Sequence, residues 1–287
     1  MKKILLSTDF SPASDKAIRY AINLFGDTPC EFTLMHAYDT FPVGGSPEIG
    51  YALIDEMFNR SRKDLAAQIE ELKQLDTKHI HVFRTELVSA SVGSAIQILN
   101  QKHDYDFVVV GATGRGNDIL FGSIATDVVR NVAANSLVVP VNATTTPIRN
   151  IVMAVDYQSV RSFSEFDGLK ELLLEKEATL TLLTVLKDGQ LPTELDGLIK
   201  FQYHDYFKGV HIIDYQLRGD SVEEGILEYL SLHKADMLVM LTRHHTFFDV
   251  IFNRSLTRKF AFNPTLPLLS IYDEATIVVP DNELVTF

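Results

Sequence analysis

The chain writes the same pattern twice, and that constrains its fold more than any other feature. KKILLSTDFS (Lys2–Ser11) returns as RNIVMAVDYQ (Arg149–Gln158), and FTLMHAYD (Phe32–Asp39) returns as LTLLTVLKD (Leu180–Asp188). SVGSAIQIL (Ser91–Leu99), YDFVVVGATG (Tyr105–Gly114) and SLVVPVNA (Ser136–Ala143) return, in the same order, as SVEEGILEYL (Ser221–Leu230), ADMLVMLTRH (Ala235–His244) and LPLLSIYD (Leu266–Asp273). Five ordered matches argue for a duplicated structural unit. The offset is 147 from Ile4 to Ile151 but 130 from Ser91 to Ser221, so the first half holds about 17 more residues between these points. The Gly-Pro-containing stretch Phe41–Tyr51 and the helix start after it are the expected place. The Thr-rich segment NATTTPIRN (Asn142–Asn150), with Pro147, reads as the join. The expected units are residues 1–146 and 147–287.

Within each half, short apolar runs alternate with helical stripes. ILL, FTLM, the His79–Leu87 segment, FVVV and LVVPV read as strands, because continuous apolar runs mark strands buried on both faces of a parallel sheet. Ile18, Ala21, Ile22 and Phe25 fall on one helical face behind a Ser11-Pro12 start signal. Leu65, Ile69 and Leu72 repeat the pattern, as do Val92, Ala95, Ile96 and Leu99, and then Ala125, Val128, Val129 and Val132. The expected fold is α/β: two similar doubly wound domains, each a five-stranded parallel sheet flanked by helices. Apolar sheet edges avoid solvent. The fifth strands, Ser136–Val141 and Leu268–Tyr272, are therefore expected at a pseudo-twofold seam, making an intramolecular pseudo-dimer. The tail Thr276–Phe287 is expected over that seam or as an extension of one sheet. A further homodimer is left open.

Charge and composition narrow the partners. Lys and Arg number 26 against 38 Asp and Glu, a formal charge of −12. That balance excludes non-specific nucleic-acid and anionic-membrane binding as leading functions. After Lys2 and Lys3 only Ile4, Leu5 and Leu6 precede Ser7, too short for a secretory apolar region, and no run approaches a membrane span. A cytoplasmic protein is expected. Cys30 is the only cysteine, which rules out an internal disulfide and a Cys-based zinc site, and it reads as a buried bystander. His79 and His81 alternate along the presumed strand, and His244 and His245 are adjacent. Neither pair has a readable third ligand, so no metal site is expected.

Two strand ends carry distinctive chemistry. The first strand ends in Ser7-Thr8-Asp9. The fourth ends in Gly111, runs through Gly114-Arg115-Gly116, and reaches Gly122-Ser123 at a helix start. Open α/β sheets bind ligands beyond the carboxyl ends of their strands, where the strand order reverses. Glycines permit close backbone approach, and free N–H groups at a helix start attract anions. From spacing alone, two readings stand side by side: a phosphate cradle, or glycines that shape a loop with Ser123 capping a helix.

The segments STDFSPASDKAIRYA, VVVGATGRGNDILFGSIATDVV and SLVVPV resemble the universal stress protein family across the whole first half, and the second half resembles it more weakly. The resemblance implies an adenine-nucleotide site for ATP or AMP, with Mg as an accompanying option. The glycine loop would wrap phosphates and ribose, while Asp9 and the backbone after the second strand would hold the adenosine end. Mapped onto this sequence, the cofactor-binding residues are Thr8, Asp9, Ala37, Gly111, Gly114, Arg115, Gly116, Gly122, Ser123 and Ile124. Seven residues separate Gly114 from Gly122, where nucleotide-binding members have nine.

In the second half Asp156 is kept, but Leu241 and His244 stand where Gly111 and Gly114 would be, and Asn253 and Arg254 replace Gly122 and Ser123. That site reads as lost. The leading functional expectation is therefore a stress-response sensor or signalling module, not an enzyme, holding one nucleotide per chain. The alternatives are a scaffold that binds no nucleotide, or a slow nucleotide hydrolase. Against hydrolysis, Arg115 is the only base and Asp118 the only acid in the loop, and no Gly-Lys-Ser/Thr phosphate loop occurs.

Overall fold

The computed structural model describes residues 1–38, 47–112, 123–144, 147–157, 162–187, 189, 191–241 and 266–272. The first half runs β1 (Lys2–Ser7), α1 (Pro12–Phe25), β2 (Cys30–Tyr38), α2 (Pro47–Leu75), β3 (Val82–Ser89), α3 (Val92–His103), β4 (Phe107–Ala112), α4 (Ser123–Asn131) and β5 (Ser136–Pro140). The second half runs β6 (Asn150–Ala154), a 3-10 turn (Phe163–Phe166), α5 (Asp167–Glu175), β7 (Thr179–Leu186) and α6 (Glu194–Tyr206). It continues with β8 (His211–Arg218), α7 (Val222–Leu232), β9 (Met237–Leu241) and β10 (Leu268–Ile271). The tail Thr276–Phe287 lies outside the described residues.

The ten strands form one sheet in the order β3-β2-β1-β4-β5-β10-β9-β6-β7-β8. Every neighbouring pair is parallel except β5 and β10, which run antiparallel with Leu268 opposite Val138 and Leu269 opposite Leu137. The two halves thus meet through their fifth strands, related by a pseudo-twofold axis. Val138, Leu137, Leu268 and Leu269 are all buried. Each such Leu or Val side chain contributes roughly 1.5–3 kcal/mol relative to exposure, so the seam is continuous with the core.

Helices cover both faces, as parallel strands require. One apolar cluster packs α1, α2, α5 and α6 on one face of the whole sheet. A second packs α3, α4 and α7 on the other. Within the first half, β1 is followed by a crossover to β2 on one side and pairs with β4 on the other. The strand order therefore reverses between β1 and β4.

The sequence signals act locally as physics demands. Ser11 caps α1, accepting from the Ser14 N–H at 3.3 Å, and Pro12 occupies the first helical position. Cys30 opens β2, fully buried, with its thiol pushed up to about 11 by burial. The extra residues of the first half lie largely in α2, which has 29 residues against 13 in α6.

One local reading is corrected. The third strand begins at Val82 rather than His79, so His79 and His81 do not alternate along it. His79 sits in the preceding turn with φ 53°. His81 is a packing residue: its Nδ1 accepts from the Cys30 N–H at 3.3 Å, and its ring packs against Phe32 and Phe83. Among the described residues no group of three or more His, Cys, Asp and Glu side chains comes together.

Candidate functional site

The carboxyl ends of β1 and β4 open a cleft of about 110 Å³ at the point where the strand order reverses. Thr8, Asp9, Ala37, Gly111 and Ile124 all line it. Five of the ten sequence-chosen residues are thereby brought together from β1, β2, β4 and α4. Ser123 is the first residue of α4, beside Ile124. Gly114, Arg115, Gly116 and Gly122 lie outside the described residues.

Each residue reaches the cleft for a different reason. Asp9 follows β1 in the turn into α1, and its Oδ1 accepts the Ser11 N–H at 3.0 Å. Burial drives its carboxyl upward, but hydrogen bonds from the Ser11 and Ser14 hydroxyls and the Ser11 N–H outweigh that and hold it below the usual range. The carboxylate stays ionised, an acceptor for a ligand's hydroxyl or amino groups and a poor neighbour for a phosphate.

Thr8 has a different role from that of an open donor. Its N–H donates to the Met35 carbonyl at 2.8 Å, and its own carbonyl lies 2.8 Å from the His36 Nδ1. Its hydroxyl accepts from the Phe10 N–H at 3.0 Å and donates to the Gln68 Oε1 at 3.1 Å. Every polar group of Thr8 is thus engaged, and the residue fixes the turn that presents Asp9. Phe10 closes that turn at φ 60°, in the left-handed region.

Ala37 is placed by a difference in strand length. β1 ends at Ser7, opposite Met35, whereas β2 continues to Tyr38. Peptide groups point to the same neighbour every second residue. Those of Ala37 therefore face the β1 side just beyond the last β1 partner, where a planar ligand edge can take them.

Gly111 is required by helix packing. A Cβ there would lie 2.6 Å from the Ala13 carbonyl oxygen and 2.9 Å from the Ser14 nitrogen. Only glycine lets the first turn of α1 sit against β4, and that contact forms the cleft's wall. Ser14, buried at the base of the cleft, belongs to the same wall. It was missed in the sequence because a serine in a helix's first turn has the same appearance whether it caps or lines a site. Opposite, α4 begins at the cleft with no acid in its first turn. The positive end of its dipole favours an anion.

The second half builds this region differently. Asp156 follows β6 as Asp9 follows β1, but Leu241 is fully buried at the end of β9. Its side chain occupies the level at which α1 meets Gly111. The corresponding helix α5 starts only at Asp167, after a 3-10 turn.

A duplicated, doubly wound α/β unit with a polar cleft at its strand-order reversal defines a class of small-ligand-binding domains. The comparisons make the family specific. The model of the universal stress protein family matches residues 1–140. A universal stress protein of Methanocaldococcus jannaschii is 29% identical over 141 residues, 48% of this chain and 81% of that one. A universal stress protein from Archaeoglobus fulgidus superposes with TM-score 0.71 at 15% identity, covering 94% of this chain and 98% of that one. A functionally unknown protein from Pseudomonas aeruginosa PAO1 superposes with TM-score 0.60 at 14% identity, covering 96% and 94%. Residues 1–140 are thus similar by sequence to the universal stress protein family, and the chain shares its fold across both halves with these solved structures. No helix among the described residues is long and apolar enough to cross a membrane.

Proposed function

We propose that the first half binds one adenine nucleotide and that the protein works as a nucleotide-responsive module in a stress response, without catalytic turnover. The observation that carries this reading is the convergence of Asp9, Ala37, Gly111 and Ile124 on one cleft between β1 and β4. The cleft is polarised. Asp9 and the Ala37 peptide offer acceptors and a donor suited to a ribose and an adenine edge. The α4 N-terminus lies across the cleft and suits phosphates. Gly114, Arg115, Gly116, Gly122 and Ser123 would complete the phosphate end, with Mg as a companion of the phosphates.

Residues 1–146 and 147–287 are proposed as the two functional units, nucleotide-binding and degenerate respectively. The internal pairing of the halves satisfies the fifth-strand edges, so the intramolecular pseudo-dimer is the proposed unit, with the cytoplasm as its proposed location and a further homodimer left open. Titration calorimetry with ATP tests the reading: one site per chain is expected, and two equal sites or none at millimolar ATP would overturn it. Ile124→Glu sharpens it. Ile124 is 43% exposed in the first turn of α4, where an acid suits the helix dipole and leaves the fold intact. ATP should bind at least tenfold more weakly to this variant while adenosine is little affected; equal losses would place the phosphates elsewhere. Phosphate release in step with ATP binding would instead favour a hydrolase.

A further inference from the structure

The outer face of α6 is apolar where a surface helix is ordinarily polar. Among the described residues, six large apolar side chains are more than 60% exposed: Met1, Leu191, Leu195, Leu198, Phe201 and Leu232. Four of them lie on α6 or in the short segment leading into it, so the exposure is gathered and not scattered. At 3.6 residues per turn, Leu195, Leu198 and Phe201 fall within about 120° of the helix surface, and Leu191 stands about one turn's spacing before Leu195. Single exposed apolar residues need no explanation, but a contiguous patch does: the largest on a typical monomer is roughly 300–600 Å² and often functional. Three leucines and a phenylalanine this exposed present an area of that order.

Nothing in the fold asks for this stripe. α6 is held on the sheet by Ile199, Tyr203 and Phe207, all buried in the core on its own face of the sheet. Its first turn is closed by a capping box in which Asp196 accepts the Thr193 N–H at 2.7 Å. The first half supplies the control. Leu65 and Ile69 of α2 and Ile199 and Tyr203 of α6 are the corresponding buried pairs, four residues apart in each helix. Counted from them, Leu195, Leu198 and Phe201 correspond to Ser61, Asp64 and Ala67. The same position in the same architecture thus carries a hydroxyl, a carboxylate and a methyl group. The apolar stripe belongs to the second half alone.

The stripe complements a second copy of itself. In an antiparallel pair of α6 helices about a twofold axis at Leu198, residues equally far before and after Leu198 oppose one another. Leu198 then meets Leu198, and Leu195 meets Phe201 of the other copy. Glu194 faces Gln202, Asp205 faces Leu191, and no acid faces an acid. A parallel pair would set Glu194 on Glu194 and Asp205 on Asp205, and it would also align the two helix dipoles unfavourably. Glu194, Gln202, Asp205 and Lys208 are exposed beside the stripe and form a polar rim of both signs. Such a rim gives no bias toward a strongly charged partner, and a chain of formal charge −12 does not suit an anionic membrane. A standard interface buries roughly 800 Å² per partner, with an apolar core inside a polar rim. The stripe is large enough for that core, and its flanks supply the remainder.

We propose that the outer face of α6 is a homodimer interface, in which the α6 helices of two chains pack antiparallel and cross at Leu198. The proposal is independent of the nucleotide reading of the first half. It assigns the two kinds of pairing to different surfaces: the fifth strands join the halves within a chain, and α6 joins chains.

The test is sedimentation equilibrium on the full chain at physiological salt, from about 1 µM to about 500 µM, since association follows mass action. Wild type should rise from one chain mass toward two within that range. Leu198→Glu and Leu198→Lys should each weaken association at least tenfold, because the axis brings like charges together. Leu198 is exposed, so neither change should lower the melting temperature of dilute, monomeric protein. An equimolar mixture of the two variants should associate more tightly than either alone, because opposite charges then meet at the axis. Met57→Glu, at an exposed position of α2, should associate as wild type does. Four outcomes overturn the proposal: a single chain mass throughout the range, association unchanged in both Leu198 variants, loss of association in Met57→Glu, or no recovery in the mixture. The third would move the interface to α2, and the fourth would remove the twofold axis from Leu198.

Discussion

The two halves share strand order, crossover pattern and the acid after the first strand, yet they keep open space in opposite places. In the first half α1 starts immediately after β1 and packs on Gly111, so the strand-order reversal is open toward α4 while the α2 side is closed by a 29-residue helix. In the second half the buried Leu241 stands at the position of Gly111 and α5 starts only at Asp167, while the 13-residue α6 borders a cleft of about 350 Å³ on the other face. Duplication preserved the sheet because the sheet is the core of both halves. It left the strand ends free to diverge, because side chains there answer to one or two neighbours.

That contrast can be broken at the positions that create it. The largest effect is expected at Leu241, buried in the core of the second half. Leu241→Ala should cost about 2–5 kcal/mol, as a cavity-forming truncation does, read as a fall in the denaturant midpoint at unchanged slope. A cost below about 1 kcal/mol would mean that the leucine is not what holds this reversal shut. The reciprocal change, Gly111→Leu, should cost about 1–3 kcal/mol, because the side chain must push the first turn of α1 away. It should also abolish ATP binding, since the wall carrying Ser14 moves with the helix. Retained affinity in a folded Gly111→Leu protein would show that the wall is dispensable.

A smaller effect concerns how the halves are tied outside the sheet. Asp27 of the first half bridges Lys176 of the second at 2.7 Å and Lys78 of its own half at 3.0 Å. The hydrogen bond from Lys176, followed by that from Lys78, holds its carboxyl down at about 2. A carboxyl depressed in the folded state stabilises fully above its unfolded value of about 3.9 and loses that stabilisation as pH falls toward 2. Asp27→Asn should therefore be slightly less stable than wild type at pH 7, by at most about 1 kcal/mol for so exposed a pair. The two proteins should converge in thermal melts as the pH drops below about 3. A difference that persists at pH 2 would assign the effect to something other than charge.

Much of this was legible in the chain before any coordinates. The repeat, the alternation of apolar runs with helical stripes and the Ser11-Pro12 helix start are local signals, and local physics honours them. Buried parallel strands need continuous apolar faces, and a helix needs its first N–H groups capped. The strand pattern pointed to Asp9 and Gly111, because a doubly wound sheet brings the ends of its first and fourth strands together, whereas Ala37 and Ile124 became candidates only through the family resemblance. The third strand, read as starting at His79, starts three residues later at Val82, because the backbone at His79 is left-handed, so His79 and His81 do not share a strand face.

What the sequence determined by itself was the fold of each half, the apolar character of the fifth strands and the residues at the strand ends. Only the tertiary structure decided what those residues do to one another. Gly111 resembles a ligand-contacting glycine in the sequence, but it faces the backbone of α1 at a distance no Cβ tolerates. Thr8 resembles a free hydroxyl at a site's edge, but all its polar groups are engaged within the turn. In the sequence α6 carries apolar residues on several faces, and only packing decides that Ile199, Tyr203 and Phe207 are buried while Leu195, Leu198 and Phe201 stay exposed. A string of residues encodes periodicity and charge, which are properties of neighbours along the chain. Open space and close approach are properties of segments far apart in sequence, and they exist only once the sheet has brought those segments together.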